Sequence, residues 1–306
     1  MLRCPFCGGD PAGKIETREM MFGLRHPFTY CRCGECASVW LPEPPSDLAG
    51  YYGTGYYSMS AGAEGANRIA LASLWARVLL RLPAPVASRV AGRRGFPRYL
   101  RWIIGIDVSL DSRIADIGSG EAGAIAQMSR HGFAHLWGFD PFIAADKDIG
   151  SAHYRRRPIR MDDGPFDLVM FNHSLEHVGD PLAALSDAAA TLSPGGAIVV
   201  RIPVAGSFAD RHYGPNWVAL DPPRHLAIPS RLGMQQAASR VGLSIARVFF
   251  DSQPLQFWAS ERYRDDVALH EREGPSVKDL RERAAALNRS GDGDMAGYVL
   301  RRSRSP

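Results

Sequence analysis

Lysine is almost missing from this 306-residue chain: Lys14, Lys147 and Lys278 are the only three. The formal net charge of +4 is therefore carried by arginine. A surplus that small does not supply the concentrated basic stripe that tracks a phosphate backbone, so no nucleic-acid partner is expected. The clusters Arg93-Arg94, Arg155-Arg156-Arg157 and Arg301-Arg302 read as solvated surface. Long apolar runs are also lacking. The longest candidate, Ile69 to Leu82, is broken by Arg77 and Arg81, short of the ~18 apolar residues of a membrane-spanning helix. The N-terminus has neither the basic nor the apolar region of a signal peptide and runs straight into Cys4-Pro5-Phe6-Cys7, so the expected compartment is the cytoplasm. What is present is ordinary globular material, 45% hydrophobic and 22% charged, enough for a sizeable core and about two domains on length.

Cysteine is scarce but patterned. Four of the five cysteines form two C-x-x-C pairs, Cys4/Cys7 and Cys33/Cys36. Two such pairs supply the four thiolates of a tetrahedral structural zinc site, which leaves no open position for substrate or water. Gly8 lets the chain turn behind the first pair; the second has Ala37 at the matching place. Cys31 is the spare and could compete with Cys33. With few basic residues, the module (1–45) reads as a folding staple or a substrate-side lid.

A Pro-rich linker, Pro42 to Pro45, leads to Tyr51, Tyr52, Tyr56 and Tyr57 around Gly53 and Gly55. These rings either form a mobile flap or pack on the next helix, and packing is the expectation. Leu71, Leu74, Trp75, Val78, Leu79 and Leu82 follow helical spacing, with Arg68, Arg77 and Arg81 off the stripe. A basic amphipathic helix can lie on a membrane; here the expectation is that the stripe packs on a core, making residues 46–103 a linker and helical cap.

From Arg113 strands and helices alternate. Strands are expected at Arg113–Ile117, Leu136–Phe139, Pro158–Met161, Phe166–Phe171, Ala197–Ile202, Leu243–Phe250 and Ala296–Arg301. Helices are expected at Glu121–His131, from Asp180-Pro181 to Leu192, from Ser230 to Val241, and within Asp266–Asn288. This alternation predicts an open, mostly parallel sheet with helices on both faces.

The first strand ends in Asp116-Ile117-Gly118-Ser119-Gly120-Glu121-Ala122-Gly123, a glycine-rich turn opening a helix. It also satisfies G-x-G-x-x-G, so a dinucleotide has to be weighed. Asp140 closes the second strand, where a carboxylate can accept from both hydroxyls of a ribose. Asp116 repels a pyrophosphate but suits the cationic sulfonium and amino group of S-adenosylmethionine. Two further segments follow: Asn172-His173-Ser174-Leu175-Glu176-His177-Val178 after a buried strand, and the turn Ser193-Pro194-Gly195-Gly196.

Together, in this order, these motifs resemble the class I S-adenosylmethionine-dependent methyltransferases over roughly Ile104 to Arg302. The resemblance implies a Rossmann-like, mostly parallel seven-stranded sheet in a domain spanning 104–306, preceded by the small zinc ribbon. It implies that Asp116, Gly118, Ser119 and Gly120 cradle the methionine part, that Asp140 holds the ribose with Pro141 beneath the adenine, that Asp162 accepts from the adenine amino group, and that Asn172 and His173 line the transfer side. The N-terminal half looks like a subgroup carrying a zinc ribbon, with Trp40-Leu41-Pro42 and Tyr51-Tyr52 as its marks. That subgroup is common in glycan and natural-product pathways and includes sugar C-methyltransferases, which usually carry a longer C-terminal domain.

A sugar hydroxyl would need a base, and histidine is the usual choice. His177 is the first candidate, with Glu176 to orient it, and His225 in Asp221-Pro222-Pro223-Arg224-His225 is the second. The expected acceptor is a small molecule or glycan. The rival readings are an NAD-dependent sugar oxidoreductase, for which a Tyr-x-x-x-Lys pair is missing, and a non-catalytic nucleic-acid-binding ribbon.

Overall fold

The computed structural model describes residues 2–52, 66–91, 96–121, 123–271 and 276–303, without the side chains of 66–68 and 88. Gly53, Gly55, Tyr56, Tyr57, Arg93, Arg94 and Ala122 lie outside the described residues.

The N-terminal strands β1 (Pro11–Arg18), β2 (Pro27–Cys33) and β3 (Val39–Trp40) form an antiparallel sheet. Helices α1 (Ala66–Leu79), α2 (Ala84–Ala91) and α3 (Arg98–Ile103) follow. Then come β4 (Arg113–Ile117), α4 (Ala124–Arg130), β5 (His135–Phe139), β6 (Lys147–Ile149), β7 (Ala152–Arg155), β8 (Phe166–Asn172), α5 (Pro181–Ala190) and β9 (Leu192–Pro203). The chain closes with α6 (Phe208–Tyr213), β10 (Ala227–Ile228), α7 (Arg231–Arg240), β11 (Leu243–Phe250), α8 (Leu255–Arg264), α9 (Lys278–Ser290) and β12 (Met295–Arg302).

The main sheet has eight strands in the order β11-β12-β9-β8-β4-β5-β7-β6. The five central strands β7, β5, β4, β8 and β9 are parallel; β12 and the edge strand β6 run against them, and β11, antiparallel to β12, runs with them. This is the Rossmann-like, mostly parallel architecture expected, with β6 as one strand more than seven. The third parallel strand is Ala152–Arg155 and not Pro158–Met161, whose last residue instead enters a 3-10 turn, Met161–Asp163. The apolar runs in β8 and β9 are buried almost throughout, as strands covered on both faces must be. Helix starts follow the caps: Asp180 accepts from Ala183 N–H and Ser230 from Gly233 N–H. The arginine clusters at 155–157 and 301–302 have local structural partners. Arg157 pairs with Asp163, and Arg302 donates to Ala189 O at the end of α5.

The N-terminal module is welded to the main domain. Strand β3 pairs with β10, Ala227 opposite Trp40 and Ile228 opposite Val39. Cys4, Phe6, Cys33, Cys36 and Trp40 share one buried cluster with Leu185, Val200 and Met234. Deeper still, Arg224 is wholly buried between Glu19, at 2.8 Å, and Asp221, at 2.6 Å. A third partner is the Tyr51 carbonyl, 3.0 Å from its Nη1.

The stripe on α1 does not pack as expected. Ala72, Ala76 and Leu79 face the core, whereas Leu71, Leu74 and Val78 stand 51%, 55% and 39% exposed. Small alanines let α1 approach its neighbours closely, and its larger side chains point outward.

Arg224→Ala should cost about 3–5 kcal/mol of stability, because it leaves two buried carboxylates without their cation. Urea unfolding checks this; a loss under about 1 kcal/mol would mean that the pairing is incidental.

Candidate methyl-transfer site

In open α/β sheets ligands bind beyond the carboxyl ends of the strands, where the connections diverge to either side. Here that point is β4, flanked by β5 and β8. The loops following these three strands carry most of the candidate cofactor residues.

Gly118, at φ +71°, follows β4, and its N–H donates to Phe139 O at 2.8 Å. A Cβ on Gly118 would collide with the Ser174 side chain, so only glycine serves there. Gly120 N–H donates to Asp140 Oδ2 at 2.9 Å, and Phe142 N–H to Asp140 Oδ1 at 2.8 Å. Asp140 is thus locked against the glycine loop, with lone pairs left for a ribose. Ser119 is buried in the same loop, while Pro141 is exposed beside it.

Asp116 is the anomaly of this loop. It is 2% exposed, and its Oδ1 has no hydrogen-bond partner. Burial, reinforced by the Asp140 charge, pushes its carboxyl up to about 8. A carboxyl raised in this way regains its charged form when a cation is placed beside it. The sulfonium and amino group of S-adenosylmethionine are cations, so the residues fit this cofactor, and a pyrophosphate would add negative charge.

Beyond β8 lies a cavity of about 740 Å³. His173, Asp221 and His225 line it, with Arg201, Trp102 and Asp251. His173 and Asp221 both occupy the left-handed region, at φ +56° and +40°. Such strain in non-glycine residues collects at functional sites. Asn172 faces Arg201, whose guanidinium pairs with Asp251 at 2.6 Å and lies 4.1 Å over the Trp102 ring.

The three candidate catalytic residues come together. The His177 and His225 rings meet edge to face at 4.8 Å. His177 Nδ1 lies 2.9 Å from Arg224 O and 3.0 Å from the Tyr52 hydroxyl. His225 Nδ1 lies 2.8 Å from Ala219 O, which fixes Nδ1 as the protonated nitrogen. Its Nε2 lies 4.0 Å from Glu176 Oε1 and 3.9 Å from Asp221 Oδ2. Burial, then the neighbouring His225, lowers the His177 imidazole to about 4, so it is neutral at pH 7. Burial works to raise Glu176, but His173, its Nδ1 3.5 Å from Oε1, and the nearby His177 and His225 outweigh it and hold the carboxyl at about 2. Glu176 and His177 stand behind the cavity wall, and His225 is in it. Asp162 is exposed on its 3-10 turn, where Asp163 takes the hydrogen bonds from Arg157.

Cys4, Cys7, Cys33 and Cys36 converge with their sulfurs within 4.8 Å of one another. Cys4 and Cys36 are 3.6 Å apart, Cys7 and Cys33 3.4 Å. A tetrahedron of ~2.3 Å zinc–sulfur bonds has edges of about 3.8 Å, so the donor set fits zinc. Gly9 N–H points at Cys7 Sγ and Cys36 N–H at Cys33 Sγ. Ala37 takes the left-handed turn, φ +61°, that Gly8 makes at the first pair. Cys31 sits instead in the β1–β3 sheet, opposite Lys14 and Trp40.

Sequence reasoning missed Arg201, Asp251, Trp102 and the Arg224 pairing. The fold and the cofactor-side loops define a class I S-adenosylmethionine-dependent methyltransferase. A family model described as "Methyltransferase domain" matches residues 70–248, and the chain belongs to that family. No curated protein gives a significant match. Among solved structures, the chain is similar to an S-adenosylmethionine-dependent methyltransferase from Mesorhizobium loti, with 21% identity, 63% of this chain and 91% of that one covered, and a TM-score of 0.39. The CcbJ methyltransferase from Streptomyces caelestis is similar at 10% identity, with 63% and 84% covered and a TM-score of 0.40. A chain of the complex between the Haloferax volcanii Trm112 methyltransferase activator and a methyltransferase is similar at 15% identity, with 76% and 97% covered and a TM-score of 0.45.

Asp116 makes cofactor binding pH-dependent. Its carboxyl, at about 8 in the free protein, must lose a proton to face a cation. Affinity for S-adenosylmethionine should therefore rise as pH climbs from ~6 towards 8, by up to about tenfold per unit, with release of up to one proton. Calorimetry in buffers of different ionisation enthalpy checks this, and Asp116→Asn should flatten the slope.

Proposed function

We propose that the chain transfers a methyl group from S-adenosylmethionine to a hydroxyl of a small-molecule or glycan acceptor, most simply a sugar. The observation that carries this reading is His225 in the wall of the acceptor cavity, with its Nδ1 held by Ala219 O and its Nε2 beside two carboxylates. The cavity is lined by polar groups, Gln253 and Asp294 among them, together with the rings of Phe96 and Tyr263, a mixture that suits a hydroxyl-bearing ligand.

When bound, S-adenosylmethionine supplies a methyl carbon already activated by its sulfonium. Asp116, Gly118, Ser119 and Gly120 hold its methionine end, Asp140 its ribose and Pro141 its adenine, with Asp162 as a further adenine contact. Asn172 and His173 line the transfer side. Alignment by such contacts can supply ~7–11 kcal/mol of barrier reduction. His225 takes the hydroxyl proton at Nε2, and Glu176 and Asp221 stabilise the imidazolium that results. His177, with its depressed basicity, is the weaker acceptor and holds the ring of His225. Zinc on Cys4, Cys7, Cys33 and Cys36 staples the N-terminal module and takes no part in transfer. The chain then divides into a ribbon at 1–45, a linker and cap at 46–103, and the methyltransferase domain at 104–306.

Deuterated-methyl S-adenosylmethionine, incubated with the protein and with sugar-rich small-molecule and glycan fractions, should give labelled products found by mass spectrometry. His225→Ala should lower turnover by ~10²–10⁴-fold and leave cofactor affinity nearly intact. His177→Ala should lower it less. If His225→Ala keeps near wild-type turnover, the base is assigned wrongly.

Elemental analysis should find one zinc per chain, lost in Cys33→Ser/Cys36→Ser and kept in Cys31→Ser. Full zinc in the double variant would contradict the ligand set.

A further inference from the structure

We propose that the cap formed by α1, α2 and α3 docks on an anionic lipid surface, through the apolar face of Leu71, Leu74, Val78, Leu82 and Val86 flanked by Arg77 and Arg81. The first observation is that α1 has two apolar faces. Ala72, Ala76 and Leu79 bury one of them on the body of the protein. On the other, Leu71, Leu74 and Val78 are open to solvent, and Leu82 and Val86 continue the exposure into the next helix at 38% and 49%. A surface helix ordinarily turns charged residues to water, and clustered exposed aliphatics mark a contact surface.

The second observation is charge. Between Glu64 and Asp107 the chain has eight arginines and no acid. The whole chain is only +4, so everything outside this segment is net negative. Of these arginines, Arg77, Arg81 and Arg89 are described, exposed and outside the cavity lining, and a positive potential there draws this face towards an anionic surface. Arg77 lies three residues beyond Leu74 and Arg81 three beyond Val78, and both are exposed. Their long stems can lie along apolar surface while the guanidinium groups reach phosphates. A second copy of this chain fits less well, since a two-fold contact would bring two arginine-rich segments together. The contact is interfacial, because among the described residues no helix is long and apolar enough to cross a membrane. The cap also gives Arg98, Arg101 and Trp102 to the acceptor cavity, so the element that docks is one that walls the site.

The test is co-sedimentation of the full chain with phosphatidylcholine vesicles, with and without phosphatidylglycerol. Leu74→Glu/Val78→Glu and Arg77→Glu/Arg81→Glu are compared after thermal unfolding and cofactor affinity are found unchanged. We expect binding to the anionic vesicles that weakens with salt, and a loss of at least ~tenfold in each variant and on neutral vesicles. Three results would overturn the proposal: no binding to anionic vesicles, wild-type binding by either variant, or a dimer in sedimentation velocity that Leu74→Glu/Val78→Glu splits.

Discussion

A guanidinium sealed from water holds three distant parts of this chain together. Arg224 lies between Glu19, in the turn after β1, and Asp221, three residues before it, and also donates to the Tyr51 carbonyl. Burying one charge this deeply is unfavourable unless every donor and both partners are satisfied. Glu19 meets that demand by also accepting from Phe22 and Leu24 N–H at 3.0 and 2.9 Å. The N-terminal module, the Tyr51–Tyr52 segment and the 221–225 loop can therefore not shift independently. The Arg224 carbonyl in turn sits 2.9 Å from His177 Nδ1, and the next residue is His225. Placement of the candidate base thus depends on the N-terminal module through this contact.

The cofactor side rests on a different constraint. Its geometry comes from parallel strand ends, from Gly118 packed on Ser174, and from Asp140 accepting the Gly120 N–H. None of these contacts involves residues before Arg113. Among the buried groups of this domain Asp116 carries a strongly raised carboxyl: burial and the Asp140 charge disfavour its ionised form, and its Oδ1 has no hydrogen-bond partner among the described residues. The two halves meet at His173, which follows β8, lines the cavity and lies 3.5 Å from Glu176.

Much of this was legible in the sequence where the signal is local. The buried runs 113–117 and 166–171, the apolar strand 243–250, the caps Asp180 and Ser230, and the glycine loop each announce themselves within a few residues. The cysteine spacing likewise gave the cluster and left Cys31 aside. The third parallel strand was not legible, because Ala-His-Tyr-Arg is too short and mixed to display a period. Periodicity correctly gave a helix at α1 but only part of its packing: Leu79 and Trp75 of the stripe meet the core, beside Ala72 and Ala76, while Leu71, Leu74 and Val78 do not. Arg224 was invisible as a hub because Glu19 is 205 residues away, and no spacing rule spans that distance.

The claim that Arg224 unites the acceptor side and not the cofactor side is tested most directly by hydrogen–deuterium exchange of Arg224→Lys against the wild type. Lysine keeps the charge but cannot reach Asp221, Glu19 and the Tyr51 carbonyl at once. The account predicts that peptides covering Glu19–His26, Leu48–Tyr52 and Asp221–Ile228 lose protection together, while those covering Arg113–Glu121 stay as they were and S-adenosylmethionine affinity is unchanged. Loosening confined to the 221–228 peptide, or an equal loosening of the glycine loop with loss of cofactor binding, would contradict it.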